Sequence, residues 1–179
     1  MLSAPAISPP KITRTDVFRP DDLLERIKRL LSIDAGLTAH DDTLTASLLS
    51  AVDQVERYTG LLLTPATVSV TVTLADSWDF YELPGPVNDV ATVTATDALN
   101  RPVNLLTIGQ LTAGPFPFVT GSASSITNLN LSYAAGYAYN EWPASLKQAV
   151  LLLAAGLFDG SDRNWKVLVN PYRRTTWAS

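Results

Sequence analysis

The sequence predicts an α+β fold: a small, mostly helical bundle of three main helices, interrupted by an antiparallel β insertion and flanked by extended N- and C-terminal arms. Three observations carry this. Apolar residues recur at helical spacing between residues 21 and 60, the spacing shortens to two between residues 66 and 74, and ten residues from Ala149 to Phe158 carry no polar side chain. A period near 3.6 marks a helix with one buried face, and a period of 2 marks a half-buried strand. The charge-free run is too short for a membrane, because ten helical residues rise only about 15 Å against a hydrocarbon core of roughly 30 Å. It reads as a helix surrounded by protein.

The elements follow in order. Residues 1–20 hold Pro5, Pro9, Pro10 and Pro20 without an apolar period and read as an extended arm. In PDDLLERIKRLL, Pro20 suits a first helical turn and Asp21 and Asp22 suit the positive end of a helix dipole. Leu23, Leu24, Ile27, Leu30 and Leu31 fall on one face. A second helix is expected from a capping-box pattern, Thr38 before Asp41, through Leu44, Leu48, Val52 and Val55 to a left-handed stop at Gly60. The two form a helical hairpin over 21–60.

After Gly60, ATVSVTVTL alternates valine with threonine and serine. Further strands are expected at 80–83, 89–96 and 128–133, with a Gly-, Pro- and Ser-rich loop from Gly109 to Ser125, so the β insertion runs over 64–134. Pro143 opens a core helix over 143–159 that Gly160 closes, expected to pack on Leu24, Ile27, Leu48, Val52 and Val55. One domain over 21–162 results. The last element, 163–179, is a tail with Arg163, Lys166, Arg173 and Arg174 and no acid.

Composition narrows the function. A net charge of −4 and a pI near 4.8 argue against a broad phosphate-binding face. Residues 61–140 contain Asp76, Asp79, Glu82, Asp89 and Asp97 against the single cation Arg101. Without cysteine there is neither a disulfide framework nor a thiolate metal site, and the opening MLSAPAISPP lacks the charged and apolar regions of a secretory signal. The chain is expected to be made in a cytoplasm.

Enzymes need a constellation of groups, and none emerges. The sequence has no phosphate-cradling glycine loop, no Gly-x-Ser-x-Gly elbow and no His-Glu-x-x-His. The sole histidine, His40, reads as a solvated residue at a helix start. The paired acids Asp21–Asp22 and Asp41–Asp42 sit where helix dipoles favour negative charge. Asp159 to Asp162 form a helix-terminating turn that lacks the regular ligands of a calcium loop. No catalytic residue, metal ligand or cofactor is expected. The tail combines Trp165, Tyr172 and Trp177 with Arg173 and Arg174, the residue types that anchor protein interfaces. Docking on a protein is favoured over stacking on a nucleic-acid strand, because two adjacent arginines make a meagre phosphate track. A frayed tail is the bland reading.

The order of elements, with AVDQVERYTG at 51–60, ELPGPVNDVATV at 82–93 and LSYAAGYAYNEWPASLKQAVLLLAAGLFD at 131–159, resembles the head-tail connector (adaptor) proteins of tailed bacteriophages and gene transfer agents. The most specific parts are Tyr133-x-x-Gly136-Tyr137, the pairs Trp142-Pro143 and Leu146-Lys147, and the segment Asn170-Pro171-Tyr172-Arg173. The resemblance implies a structural virion protein at the head-tail interface, made in the cytoplasm of a host bacterium. It would assemble with identical subunits, twelve in all, into a ring beneath the portal protein. That ring would extend the DNA channel without binding DNA specifically and would join the capsid to a downstream neck, stopper or tail protein, with no membrane involved. Trp165, Tyr172, Arg173, Arg174 and Trp177 become the portal-docking set. The FDGSDRNW segment, without a tidy arginine-containing helix end, and the long 105–125 loop depart from the family pattern. The rival readings are a carbohydrate- or receptor-binding β module using Thr-rich strands and Trp78, and an enzyme with an unrecognised site.

Overall fold

The computed structural model describes residues 8–14, 21–73, 78–87, 89–104, 109–111, 114, 117–121, 128–138 and 141–173. The chain divides into two compact units, one of residues 1–16 with 64–137 and the other of residues 17–63 with 138–179.

In the second unit, helix α1 spans Asp21–Leu30, α2 spans Asp41–Thr59 and α3 spans Ala144–Asp159, followed by a short α4 at Lys166–Val169 and a 3-10 turn at Asn170–Tyr172. The core of the unit is α3, which packs on both α1 and α2. Leu146, Ala149, Val150, Leu151, Leu153, Ala154 and Ala155 are buried along it. From α2 come Leu44, Leu48, Ala51, Val52 and Val55, and from α1 Leu23 and Ile27, all buried. The expected apolar face of α1 is narrower than the sequence suggests. Leu24 is only half-buried, Leu30 is 39% exposed, and Leu152 on α3 is likewise half-buried. A ten-residue helix laid against α2 and α3 buries the i, i+4 pair Leu23 and Ile27 and leaves the flanks of that stripe closer to solvent.

Helix ends explain several residues. Gly60 and Gly160 both take left-handed φ, 74° and 73°, and end α2 and α3 as the sequence predicts. The expected capping box does not form. The cap position of α2 is His40, without a side-chain cap, and Thr38 contributes its carbonyl, which accepts from Asp41 N at 3.1 Å. The turn before the helix thus uses the backbone of Thr38 where the pattern calls for its hydroxyl. Asp41 instead pairs at 2.5 Å with Lys28, a lysine of α1 that is almost fully buried and also donates to Ala35 O at 3.3 Å. Buried Glu56 accepts from Leu63 N at 2.7 Å, so the chain leaving α2 is held to it.

The other unit holds two antiparallel sheets. Strands β1 (Lys11–Arg14), β2 (Ala66–Thr73), β4 (Thr94–Asp97) and β7 (Asn128–Ala135) form one, in the order β1-β2-β7-β4. Strands β3 (Trp78–Glu82), β5 (Gly109–Leu111) and β6 (Phe118–Gly121) form the other, in the order β3-β6-β5. In the β2–β7 ladder Val68 faces Tyr133, Val70 faces Leu131 and Val72 faces Leu129, and these side chains are buried. The opposite face is a polar ladder, with Thr71 Oγ1 2.8 Å from Asn130 Oδ1 and Thr73 Oγ1 3.1 Å from Asn128 Oδ1. Part of the extended N-terminal arm is a strand: β1 pairs with β2, and Arg14 donates to Thr64 Oγ1. Its four residues are all exposed, so no alternation betrays it. The expected strand at 89–96 begins only at Thr94, because the Asp89 carboxylate accepts from Ala91 N at 2.8 Å and starts a 3-10 turn over Val90–Thr92.

Two stretches that carry the family resemblance lock each other. Tyr133 donates its hydroxyl to Pro84 O at 3.0 Å, and Gly136 N donates to Pro86 O at 3.0 Å. Gly136 has φ 99°, and a Cβ there would lie 2.2 Å from Thr64 O, so only glycine fits. After β4 the chain turns tightly. Asn100 N donates to Asp97 O at 3.0 Å, Asn100 takes φ 59°, and Asp97 N donates to Arg101 O at 3.0 Å. The Asp97 carboxylate accepts from Leu99 N and Arg101 N, each at 2.9 Å, and from Arg101 Nε at 2.6 Å. These bonds, led by that from the Arg101 backbone, hold the Asp97 carboxyl below its usual range.

Candidate functional site

The tail begins as a built part of the helical unit. Past α3, Asp159 gathers the turn: it accepts from Ser161 Oγ, from Ser161 N at 2.9 Å and from Arg163 Nη2 at 2.5 Å. Those bonds, the Ser161 hydroxyl first, lower its carboxyl to about 2. This ordered turn occupies the FDGSDRNW segment, and its carboxylate answers the Arg163 guanidinium. Gly156 belongs to the same arrangement, since a Cβ on it would lie 2.5 Å from Ser161 O as the chain passes back along α3.

The five residues expected to dock divide by position. Trp165 is 9% exposed and meets Tyr58 of α2 edge-to-face, with ring centroids 5.3 Å apart. Tyr172 is half-buried, its hydroxyl 3.2 Å from Ser145 Oγ at the start of α3. Arg173 is exposed and stands over the Tyr58 ring, its guanidinium carbon 5.2 Å from the centroid. Arg174 and Trp177 lie outside the described residues. Trp165, Tyr172 and Arg173 therefore converge on the α2–α3 surface.

Tyr58 is the residue that sequence reasoning missed. Its hydroxyl donates to Asn170 Oδ1 at 2.7 Å, its ring carries Trp165 on one side, and both Lys166, at 5.8 Å, and Arg173 approach its face. The only hint in the sequence is its place in AVDQVERYTG, far from the tail. The result is an aromatic surface rimmed by exposed Lys166 and Arg173. It suits a partner that presents carboxylates beside an apolar or aromatic group, because cations over rings remain able to bond anions.

Among the described residues no group of three or more His, Asp and Glu side chains could hold a metal ion, and no helix is long and apolar enough to cross a membrane. His40 is exposed, with its ring 5.8 Å from that of Phe158. The side chain of Trp78 lies outside the described residues.

A three-helix unit interrupted by an antiparallel β unit, with a tail root packed on its second helix, defines the class. No protein-family profile matches the chain, and no curated protein matches it. Solved structures do. A chain from the virion of a native gene transfer agent (GTA) particle superposes with a TM-score of 0.69 at 20% identity, covering 92% of this chain and 95% of that one. A chain from the neck of an empty GTA particle, computed with C6 symmetry, gives 0.65 at 21% identity, covering 92% and 96%. A chain from the neck of a native GTA particle, computed with C12 symmetry, gives 0.59 at 21% identity, again covering 92% and 96%. The chain has the fold of these neck and virion components over nearly its whole length.

Proposed function

We propose that this chain is a structural virion protein, a head-tail connector that assembles as a ring of identical subunits, twelve in number, beneath a portal. The observation that carries the reading is a fold shared over 92% of the chain with chains in GTA necks of C6 and C12 symmetry. The ring extends the DNA channel and presents its far side to a downstream neck or tail protein. A net charge of −4 and a polar Thr and Asn ladder on the sheet agree with DNA sliding past, since few cations give little counterion-release affinity. No catalytic step is assigned to it.

Portal attachment is assigned to the tail, with its five anchors sharing the work. Trp165 and Tyr172 fix the root on α2 and α3, and Arg173, Arg174 and Trp177 meet the portal. Because Asn170 and Tyr172 bond within the helical unit, the informative truncation begins after Arg173. Removing residues 174–179 and replacing Arg173 with Ala leaves the chain folded and its capture by purified portal at moderate salt largely lost. Full portal capture by that variant would refute the tail assignment. Failure of the unaltered chain to bind portal or to enter necks would refute the connector reading itself.

A further inference from the structure

We infer that Lys166 and Arg173, both standing at the ring of Tyr58, form a two-cation clamp for an acidic segment of the portal protein, and that Tyr58 is the residue that positions the pair. The inference rests on the tail-docking reading above. It adds Lys166 to the anchors and gives Tyr58 of α2 a part in docking. Four arginines among the described residues, Arg29, Arg57, Arg101 and Arg163, each pair with a carboxylate four positions before them. Lys166 has Asp162 at that spacing and makes no ion pair with it. Its Nζ lies instead 5.8 Å from the ring centroid of Tyr58 and 5.9 Å from that of Trp165. Arg173 comes to the same Tyr58 ring, its guanidinium carbon 5.2 Å from the centroid. Two exposed cations thus converge on one ring with no carboxylate paired to either among the described residues.

Charge chooses the occupant. Like charges gathered at one ring repel each other, and a carboxylate brought between them relieves that repulsion, so the arrangement favours an anionic partner more than it favours the free subunit. The ring is also fixed before any partner arrives. The Tyr58 hydroxyl donates to Asn170 Oδ1 at 2.7 Å, the Arg173 amide donates to Asn170 O at 3.1 Å, and Trp165 meets the ring edge-to-face. Tyr58 is thereby tied to the turn that carries Arg173 and to the residue that precedes Lys166, which lowers the cost of ordering the two cations on binding. The surroundings select a protein over a nucleic acid. Val167, next to Lys166, is 59% exposed, the most exposed large apolar side chain of the helical unit among the described residues, and a protein segment that brings an apolar side chain beside its acid covers it. Two cations neutralise at most two phosphates, too few for a DNA site on a chain of net charge −4.

The test measures capture of full-length protein by purified portal over a series of salt concentrations, with thermal melts to verify folding. The double variant Lys166→Gln with Arg173→Gln requires about tenfold or more higher concentration for half capture and loses most of the salt dependence that the unaltered chain shows, because the charges that meet the acidic segment are gone. Lys166→Arg keeps the charge and captures portal as the unaltered chain does. A folded Tyr58→Leu variant retains both cations but not the ring that gathers them. Its capture weakens and its salt dependence flattens, and Tyr58→Phe restores both; a change of stability alone leaves the salt dependence in place. A double glutamine variant that matches the unaltered chain at every salt concentration overturns the inference and leaves the tail assignment to Arg174 and Trp177. So does a double variant that keeps portal capture and loses salt-sensitive binding to single-stranded DNA, which gives the two cations to nucleic acid. An unaltered chain that does not bind portal overturns the connector reading and this inference together.

Discussion

Trp165 and Leu99 reverse what their side chains suggest. The tryptophan, in a tail rich in aromatic and basic residues, carries the sequence signature of an interface anchor, but it is buried against Tyr58 of its own chain. The leucine, an ordinary residue in a β turn, is held out in solvent by a network of hydrogen bonds. Residue type marks a capacity for tight contact. Only the fold decides whether the contact is made at home or left unmade.

The comparison can be broken at Trp165 first. Trp165→Ala empties the space between α4 and Tyr58, and large-to-small changes of this kind cost about 3–5 kcal/mol. Denaturant unfolding of the variant should show that loss, and a change under about 1 kcal/mol would mean the tail root is not part of the helical core. Tyr58→Phe keeps the ring contacts and deletes the bond to Asn170. A cost of about 1 kcal/mol is expected in the same measurement, as for a single hydrogen bond.

Acid reads the turn beneath the tail root. The folded carboxyl of Asp159 lies at about 2, below its unfolded value of 3.8. Its stabilisation is therefore complete above 3.8 and lost as the pH falls through 2. Melting temperatures of the unaltered chain and of Asp159→Asn should converge as the pH drops from 4 to 2, and parallel curves across that window would remove Asp159 from the account. Leu99→Ser closes the series with the smallest effect on folding. A change within about 0.5 kcal/mol is expected, because the side chain has little to lose, and a larger one would show that the leucine serves its own subunit.

Much of the fold was legible. Helices α2 and α3 announce themselves by period and by the glycines at 60 and 160, and β2 by its unbroken alternation of valine with hydroxyl residues. The rest escaped for physical reasons. Strand β1 has all four side chains exposed and is joined through backbone bonds, which leave no pattern in side-chain polarity. Strands β5 and β6, of three and four residues, are too short to establish a period within a Gly- and Pro-rich stretch. At the candidate site, the aromatic and basic members of the tail could be read, but their meeting place could not. Tyr58 and Asn170 are separated by 112 positions, and no local rule joins them. Leu99 was invisible for another reason: exposure of a single leucine has no signature until the turn that enforces it is seen.

Gly136 has a further consequence. Its missing side chain lets the chain leaving β7 pass against Thr64, where the 64–137 segment begins, closely enough that a methyl group would collide with the carbonyl. Entrance and exit of more than seventy residues are thereby brought to one point. A segment whose two stems touch behaves toward the remaining chain as a single short loop, and lengthening or replacing what lies between adds little to the entropy of closing it. Residues 64–136 are in this sense a cassette, to which the arm adds β1. Changes of strand length, loop composition or surface charge between the stems leave that closure in place as long as Thr64 and Gly136 keep their approach, and Gly136→Ala would pry it open.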